Sequence, residues 1–391
     1  MLDDYSKADG FDDQIEDEDI DSSDIPFDTS NIDITTQTTS VYNVVEQLRS
    51  GEIDLAPDFQ RHPNLWNKGQ QSRLIESLIL GIPLQAFYFD VSVVDESDGV
   101  HSSIIMPRYI WHVVDGLQRL SAIRNFVLDG SLKLRNMEYL KHLEGLSFRD
   151  LPPQLQRRIN AASLLLYLIR PETNEEIKFN IFKRVNTGGM PLNQQEIRHA
   201  ILHGNGTLFI SKLANLESFK KATQCKISNK RMLDREFVNR FVAFYVLDPV
   251  ESYRAMDLFL NDAIRILNKM TEDKLASIEA AFDSAMNLSL KLLGEMAFRR
   301  FDSTNKLWSA KINKALFESF SVALAKLTEK QRVLLSSVSD FEERFKSLFA
   351  DSIKDDSFNA MVTVGTGNRS KVLARHESMQ AFVNECIGGF E

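Results

Sequence analysis

Apolar positions recur along the chain in two periods, and the mixture changes at about residue 205. Before it, strand-like and helix-like stretches alternate. Ser40 is placed to cap a short helix with Val44, Val45 and Leu48 on one face and Gly51 at its end. Ile53 to Leu55 is a short extended piece. Asn67 and Gln70 have capping-box spacing, and the helix they open carries Leu74, Ile75, Leu78 and Ile79 on one side before Gly81 and Pro83. Phe87 to Val94 and Pro107 to Val114, rich in aromatic and β-branched residues, predict two strands. The second runs into Asp115-Gly116 and a helix bearing Leu117, Leu120, Ile123, Phe126 and Val127. Ser163 to Ile169 predicts a third strand, whose unbroken apolar run implies burial on both faces. Thr173 with Glu176, and Asn193 with Glu196, have capping-box spacing for two further helices.

From 205 onward only the helical period is evident, in segments 234–247, 256–269, 273–294, 308–326 and 338–350, and no strand is predicted. The pattern therefore predicts an α+β fold: a small sheet-containing domain over 38–204 and an α-helical domain over 205–391.

Charge separates a third region. The 391 residues sum to −9, but residues 1–37 hold thirteen acids and one base, Lys7. That segment is −12, and the body from 38 onward, with 45 bases and 42 acids, is +3. An acidic stretch with few large apolar residues is expected to be disordered. The nearly neutral body does not exclude a phosphate-bearing partner. Two cysteines, Cys225 and Cys386, exclude a disulfide framework and a cysteine-rich zinc site. The longest apolar run, Ala161 to Ile169, is far shorter than the roughly 20 residues that cross a bilayer. No apolar leader follows a basic start, so a cytoplasmic protein is expected, with no membrane partner. His199 and His203 are four apart but lack an H-E-x-x-H acid, and are expected on a solvated face. No metal-ligand motif is present.

Three motifs carry candidate chemistry. In Asp115-Gly116-Leu117-Gln118-Arg119, a glycine turn leads into a helix N-terminus whose N–H groups suit a phosphate. Arg119 adds a guanidinium fork, and Asp115 a group to hold Mg²⁺ or orient a water. The plainer alternative is that Asp115 caps the helix with Gln118 at N3. The second motif is Arg184 with Asn186, Thr187, Gly188 and Gly189, where glycines beside a helix end can wrap phosphates. Its alternative is a glycine-rich link. It lacks Walker spacing. The third, Gln60-Arg61 after a Pro-Asp turn, is unremarkable alone.

In order, these pieces are more specific. Phe59-Gln60-Arg61 and Trp66 come first, then Gln71 to Leu78 and Gly81-Ile82-Pro83, then Val114 to Leu120. Phe182 to Gly189 follows with Leu192-Asn193 and Glu196-Ile197-Arg198, then Asp234-Arg235-Glu236 and Arg240-Phe241. Over about residues 38–250 this resembles the DGQQR family. That family forms the N-terminal part of GmrSD-type modification-dependent restriction enzymes and is similar to the ParB/sulfiredoxin fold. The resemblance implies a small mixed-sheet core followed by a large helical region. It also implies a pocket for a nucleoside triphosphate with Mg²⁺, and hydrolysis that controls action on phage DNA or on an effector protein from a neighbouring gene. Carried over, Asp115, Gln118 and Arg119 would be catalytic. Gln60, Arg61, Gly116, Arg184, Asn186, Thr187, Gly188 and Gly189 would bind the nucleotide. Leu117 stands where the family usually has Gln. The His-Asn-His nuclease domain is not evident, since only His376 lies beyond residue 203. Two other readings remain open: a non-enzymatic adaptor with a degenerate pocket, and a metal-dependent DNA nuclease. An oligomer is compatible with all three.

Overall fold

The structure is a computed structural model that describes residues 33–55, 66–94, 108–185, 192–350 and 357–388. Residues 1–32 of the acidic segment, together with Gln60, Arg61, Asn186, Thr187, Gly188 and Gly189, lie outside the described residues. The described chain is mixed α and β and divides into two compact units, 33–201 and 202–388.

The first unit is built on a five-stranded mixed sheet of order β1-β5-β3-β4-β2. Its strands are β1 (Ile34–Ser40), β2 (Ile53–Asp54), β3 (Phe87–Val94), β4 (Arg108–Asp115) and β5 (Ser163–Ile169). β1 is antiparallel to β5 from Ile34 opposite Ile169 to Ser40 opposite Ser163. β3 is parallel to β5 and antiparallel to β4, and β2 adds to β4 in parallel. Residues 34–37, expected in the acidic segment, therefore belong to a strand. Their Ile-Thr-Thr-Gln sequence gives no apolar alternation, but threonine suits a pleated, half-exposed edge.

One face of the sheet is apolar. Phe87, Phe89, Val91, Val113, Leu164, Leu166 and Leu168 pack in a core with residues of four helices. These are α1 (Val41–Ser50), α2 (Lys68–Leu80), α3 (Leu117–Ile123) and α4 (Pro153–Ala161). Ser40 and Gly51 cap α1, and the Asn67–Gln70 capping box opens α2, both as the spacing predicts. On the other face Asp90 meets Lys178 at 2.6 Å, a buried pair that ties α5 (Glu175–Val185) to β3. Burial pushes the Asp90 carboxyl above its ordinary range, against the pull of Lys178.

Three local expectations change. β5 is not buried on both faces, since Leu165 is 37% exposed, beside the threonines of β1. Helix α5 starts one residue later than the Thr173–Glu176 spacing implies, because Lys178 N–H donates to Asn174 O, while Thr173 Oγ1 donates to Asp33 O at 3.1 Å. His199 is not solvated: it is fully buried in α6 (Gln194–Ile201), and His203 lies beyond that helix. The Asn193–Glu196 box does open α6, with its two bonds at 2.7 and 2.8 Å.

The second unit is mainly helical. Its helices are α7 (Asn205–Ala214), α8 (Glu217–Ala222), α9 (Leu233–Val246), α10 (Pro249–Ser252), α11 (Met256–Leu267) and α12 (Glu272–Leu293). Then come α13 (Lys314–Ala325), α14 (Glu329–Ser336), α15 (Phe341–Ser347), α16 (Phe358–Met361) and α17 (Arg369–Gly388). A hairpin interrupts them, β6 (Arg299–Asp302) with β7 (Leu307–Ile312), where the sequence predicted no strand and assigned 308–326 wholly to helix. These strands are too short for their period to stand out against flanking helices.

Inside this unit Glu318 of α13, fully buried, accepts from Arg240 of α9 at 2.9 Å and from Arg375 of α17. Burial pushes the Glu318 carboxyl up, but Arg375, His376 and Arg240 hold it down at about 2. A buried carboxylate kept charged in this way rivets three helices.

Candidate functional site

The chemistry singled out in the sequence is built where β4 hands over to α3. The β3–β4 register shifts between Tyr88 and Phe89, so Tyr88 pairs with Asp115 while Phe89 pairs with Val113. Gly116 follows in a left-handed conformation, φ +102, and occupies the N-cap position of α3 without any side-chain cap. Asp115 is therefore not the cap, contrary to the plainer alternative. Gly116 is required twice over: by its φ, and because a Cβ there would lie 2.4 Å from Cδ1 of Phe87.

Arg119 turns inward. Its guanidinium lies 4.5 Å from the centroid of the Phe87 ring and donates to the carbonyls of Gln85 and Ala86, the latter at 3.2 Å. Nη2 also donates to Asp115 Oδ2 at 2.5 Å. The fork foreseen for phosphate thus clamps the chain leading into β3 and braces Asp115. The Asp115 side chain remains one-third exposed. Burial pushes its carboxyl above the usual range, against the pull of Arg119 and of the Gly116 N–H.

Gln118 points elsewhere. Its Oε1 accepts from the backbone N–H of Trp66 at 3.1 Å. The carbonyl of the same residue accepts from Gln71 Nε2 at 2.8 Å, and Gln71 Oε1 accepts from Asn125 Nδ2 at 3.0 Å. Two glutamines, on α2 and α3, therefore hold both polar groups of Trp66, five residues after Arg61. Leu117 is 8% exposed and belongs to the apolar core. A water-orienting role at position 117 is unsupported by this geometry.

The structure brings Asp115, Gly116, Gln118 and Arg119 onto one turn. Arg184 stands on another element, exposed in the last turn of α5. Sequence reasoning did not assign roles to Gln71, Ser72 and Glu76, which are buried on α2. Ser72 Oγ accepts from Arg135 N–H at 3.0 Å, and Glu76 accepts from the N–H groups of Glu138, Tyr139 and Leu140 at 2.7–3.0 Å. Burial pushes the Glu76 carboxyl up, but these three donors hold it below its ordinary range. The available signal was polar residues interrupting the apolar stripe of α2.

Elsewhere on the sheet, a cavity of about 630 Å³ between Gln37, Glu52, Tyr109, Trp111 and Arg170 holds none of the expected site residues. Among the described residues, no group of three or more His, Cys, Asp or Glu side chains is arranged to hold a metal, and no helix is long and apolar enough to cross a membrane.

Comparison with curated proteins gives no match. A family model does match: the N-terminal domain of the GmrSD restriction endonuclease, over residues 41–203. The matched segment opens at the first residue of α1 and closes just after α6, so it contains the turn at 115–119 and omits Asp234, Arg235, Glu236 and Arg240. The match supports a GmrSD-type restriction endonuclease N-terminal domain over residues 41–203, a likeness that points toward restriction-type defence proteins.

Proposed function

We propose that the protein binds and hydrolyses a nucleoside triphosphate, and that the bound nucleotide gates action on phage DNA or on a partner effector. The observation that carries this reading is the turn at 115–119 inside a restriction-family domain. It presents a partly exposed carboxylate, Asp115, and its next polar residue, Gln118, holds the backbone of Trp66, five residues after Arg61 in sequence. In this reading Asp115 is the catalytic group that orients the attacking water. Gln60, Arg61, Gly116, Arg184, Asn186, Thr187, Gly188 and Gly189 take the phosphates. Arg119 is a positioning residue, because its donors hold Gln85, Ala86 and Asp115.

A lone carboxylate such as Asp115 fits Mg²⁺ that arrives with the phosphates better than a metal caged by protein, since Mg²⁺ keeps waters and commonly takes one or two carboxylates. When bound, the ion would neutralise charge on the phosphates. Gln118 supplies the link to the rest of the domain. If nucleotide favours the arrangement in which Gln118 holds Trp66, binding shifts the population toward it, and a nucleotide indifferent to that arrangement shifts nothing.

The test is a titration of the full chain with each nucleoside triphosphate and Mg²⁺, with and without duplex DNA, reading binding and phosphate release together. Saturable binding of at least one nucleotide is expected, with DNA changing the release rate. Replacing Gln118 by Ala removes one hydrogen bond at the link, and should weaken nucleotide binding by about tenfold. It should also abolish a nucleotide-induced change in Trp66 fluorescence in a protein where Trp111 and Trp308 are Phe. No saturable binding of any nucleotide overturns the reading and favours the adaptor.

A further inference from the structure

Besides Lys183-Arg184 at the end of α5, the sequence has four basic pairs, Arg157-Arg158, Lys220-Lys221, Lys230-Arg231 and Arg299-Arg300, and the structure treats them differently. Arg299 is buried and donates to Glu295, Ser309 and Ala310 carbonyls, while Arg300 donates to Asn359. Arg158 donates to Leu80 O at the end of α2. Arg158, Arg299 and Arg300 thus hold groups of their own unit. The other two, Lys220-Lys221 and Lys230-Arg231, lie nine residues apart in sequence, at the two ends of the connection from α8 to α9, which local hydrogen bonds fold back on itself. Cys225 N–H donates to Lys220 O at 2.8 Å, Lys226 N–H to Thr223 O at 3.0 Å and Asp234 N–H to Ser228 O at 3.2 Å. Lys220 is also close enough to Asp234 to pull on its carboxyl.

Residues 220–235 contain six bases and one acid, Asp234, which is buried. Lys221 and Lys230 are exposed, Lys220, Lys226, Arg231 and Arg235 are half-buried, and the apolar side chains Ile227 and Met232 are buried, so the surface that this segment presents is polar and cationic. Its backbone is strained. Gln224, Cys225, Arg231 and Met232 all have φ between +53 and +58, in the left-handed region. Each such residue costs on the order of 1 kcal/mol. The local hydrogen bonds and the two buried apolar residues hold the shape against that cost, so the charges are presented on a pre-formed surface.

Charges spread over sixteen residues, from the end of α8 to the start of α9, do not converge on a single phosphate as a pocket would. A lipid surface would call for exposed apolar side chains as well. A continuous row of phosphates fits, because duplex DNA carries about one negative charge per 1.7 Å of its axis. We propose that the 220–235 turn contacts the phosphate backbone of duplex DNA. This rests on the reading of DNA as the target and names the surface that meets it.

The experiment measures binding of a fluorescent duplex to the full chain as a function of salt. A variant with Lys221→Ala, Lys226→Ala and Lys230→Ala is compared with one carrying Lys269→Ala, Lys291→Ala and Lys330→Ala, three exposed lysines of the same unit. The first variant should lose about 10- to 100-fold in affinity at low salt, with the slope of log affinity against log salt shallower by about 2–3. The second should match the parent chain. Arginine at 221, 226 and 230 should restore binding, and unchanged thermal melting shows that the variants fold. Parent-like affinity and slope in the first variant overturn the inference and leave the nucleotide reading standing. Loss of binding to phosphatidylserine vesicles, with DNA binding unchanged, also overturns it. A parent chain that binds no DNA removes both this inference and DNA as the target.

Discussion

Phe87 organises the turn at the scale of single residues. Gly116 abuts one edge of its ring and the Arg119 guanidinium covers it. Adding a methyl group at 116 imposes an unfavourable φ and a backbone shift away from Phe87 together. Gly116→Ala should therefore destabilise the first unit by about 2–4 kcal/mol in a denaturant titration. The sequence showed that Gly116 matters, because a glycine between a strand and a helix has few other uses. It did not show that Arg119 turns inward. The carbonyls that capture it belong to residues 33 and 34 positions earlier, and only the pairing of β3 with β4 brings them there. Leu117 was legible: the sequence puts it on the apolar face of its helix, and its side chain enters the core.

At the scale of elements, caps and apolar stripes were legible and isolated edge strands were not. The capping boxes of α2 and α6 appear as the spacing foretold, because a cap is a local bond over three residues. β1 is polar and its partner lies far along the chain, while β6 and β7 are a short hairpin between helices, so no local period announces them. The rivet of α9, α13 and α17 was equally hidden, since nothing near Glu318 in sequence names Arg240 or Arg375 as its partners. Glu318→Gln leaves the buried Arg375 guanidinium without this counter-charge and Arg240 with Glu236 at 3.4 Å, which should cost about 3–5 kcal/mol. The pH dependence follows from the same site. The folded carboxyl sits at about 2 against an ordinary 4.5, so the unfolded chain takes up the proton first. Stability from this group is complete above about pH 4.5 and is lost as pH falls toward about 2. Hydrogen exchange in α9, α13 and α17 should rise over that window in the parent chain. Glu318→Gln should lack this component.

At the scale of the whole molecule, the overall charge of −9 conceals a segregated distribution. Residues 1–32 hold twelve acids and one lysine, a net −11, next to a body with a cationic turn. If such a segment competes with DNA for basic surface, its removal should raise DNA affinity at low salt and less so at high salt. The cut belongs after residue 32. A deletion through 37 would also remove half of β1 and its pairing with Leu166–Ile169, and would confuse lost folding with lost competition. Unchanged affinity in the shorter protein would discard the competition. β1 has one more consequence, for synthesis. Ile34 must wait for Ile169, 135 residues later, before it has a neighbour. At about 5–20 residues per second, that is an interval of roughly ten seconds or more on the ribosome. For that time β1 is a bare edge, where an apolar strand would invite aggregation. Its threonines and the acids before it make the delay safe, so the composition that hid this strand is what allows it to be made first and used last.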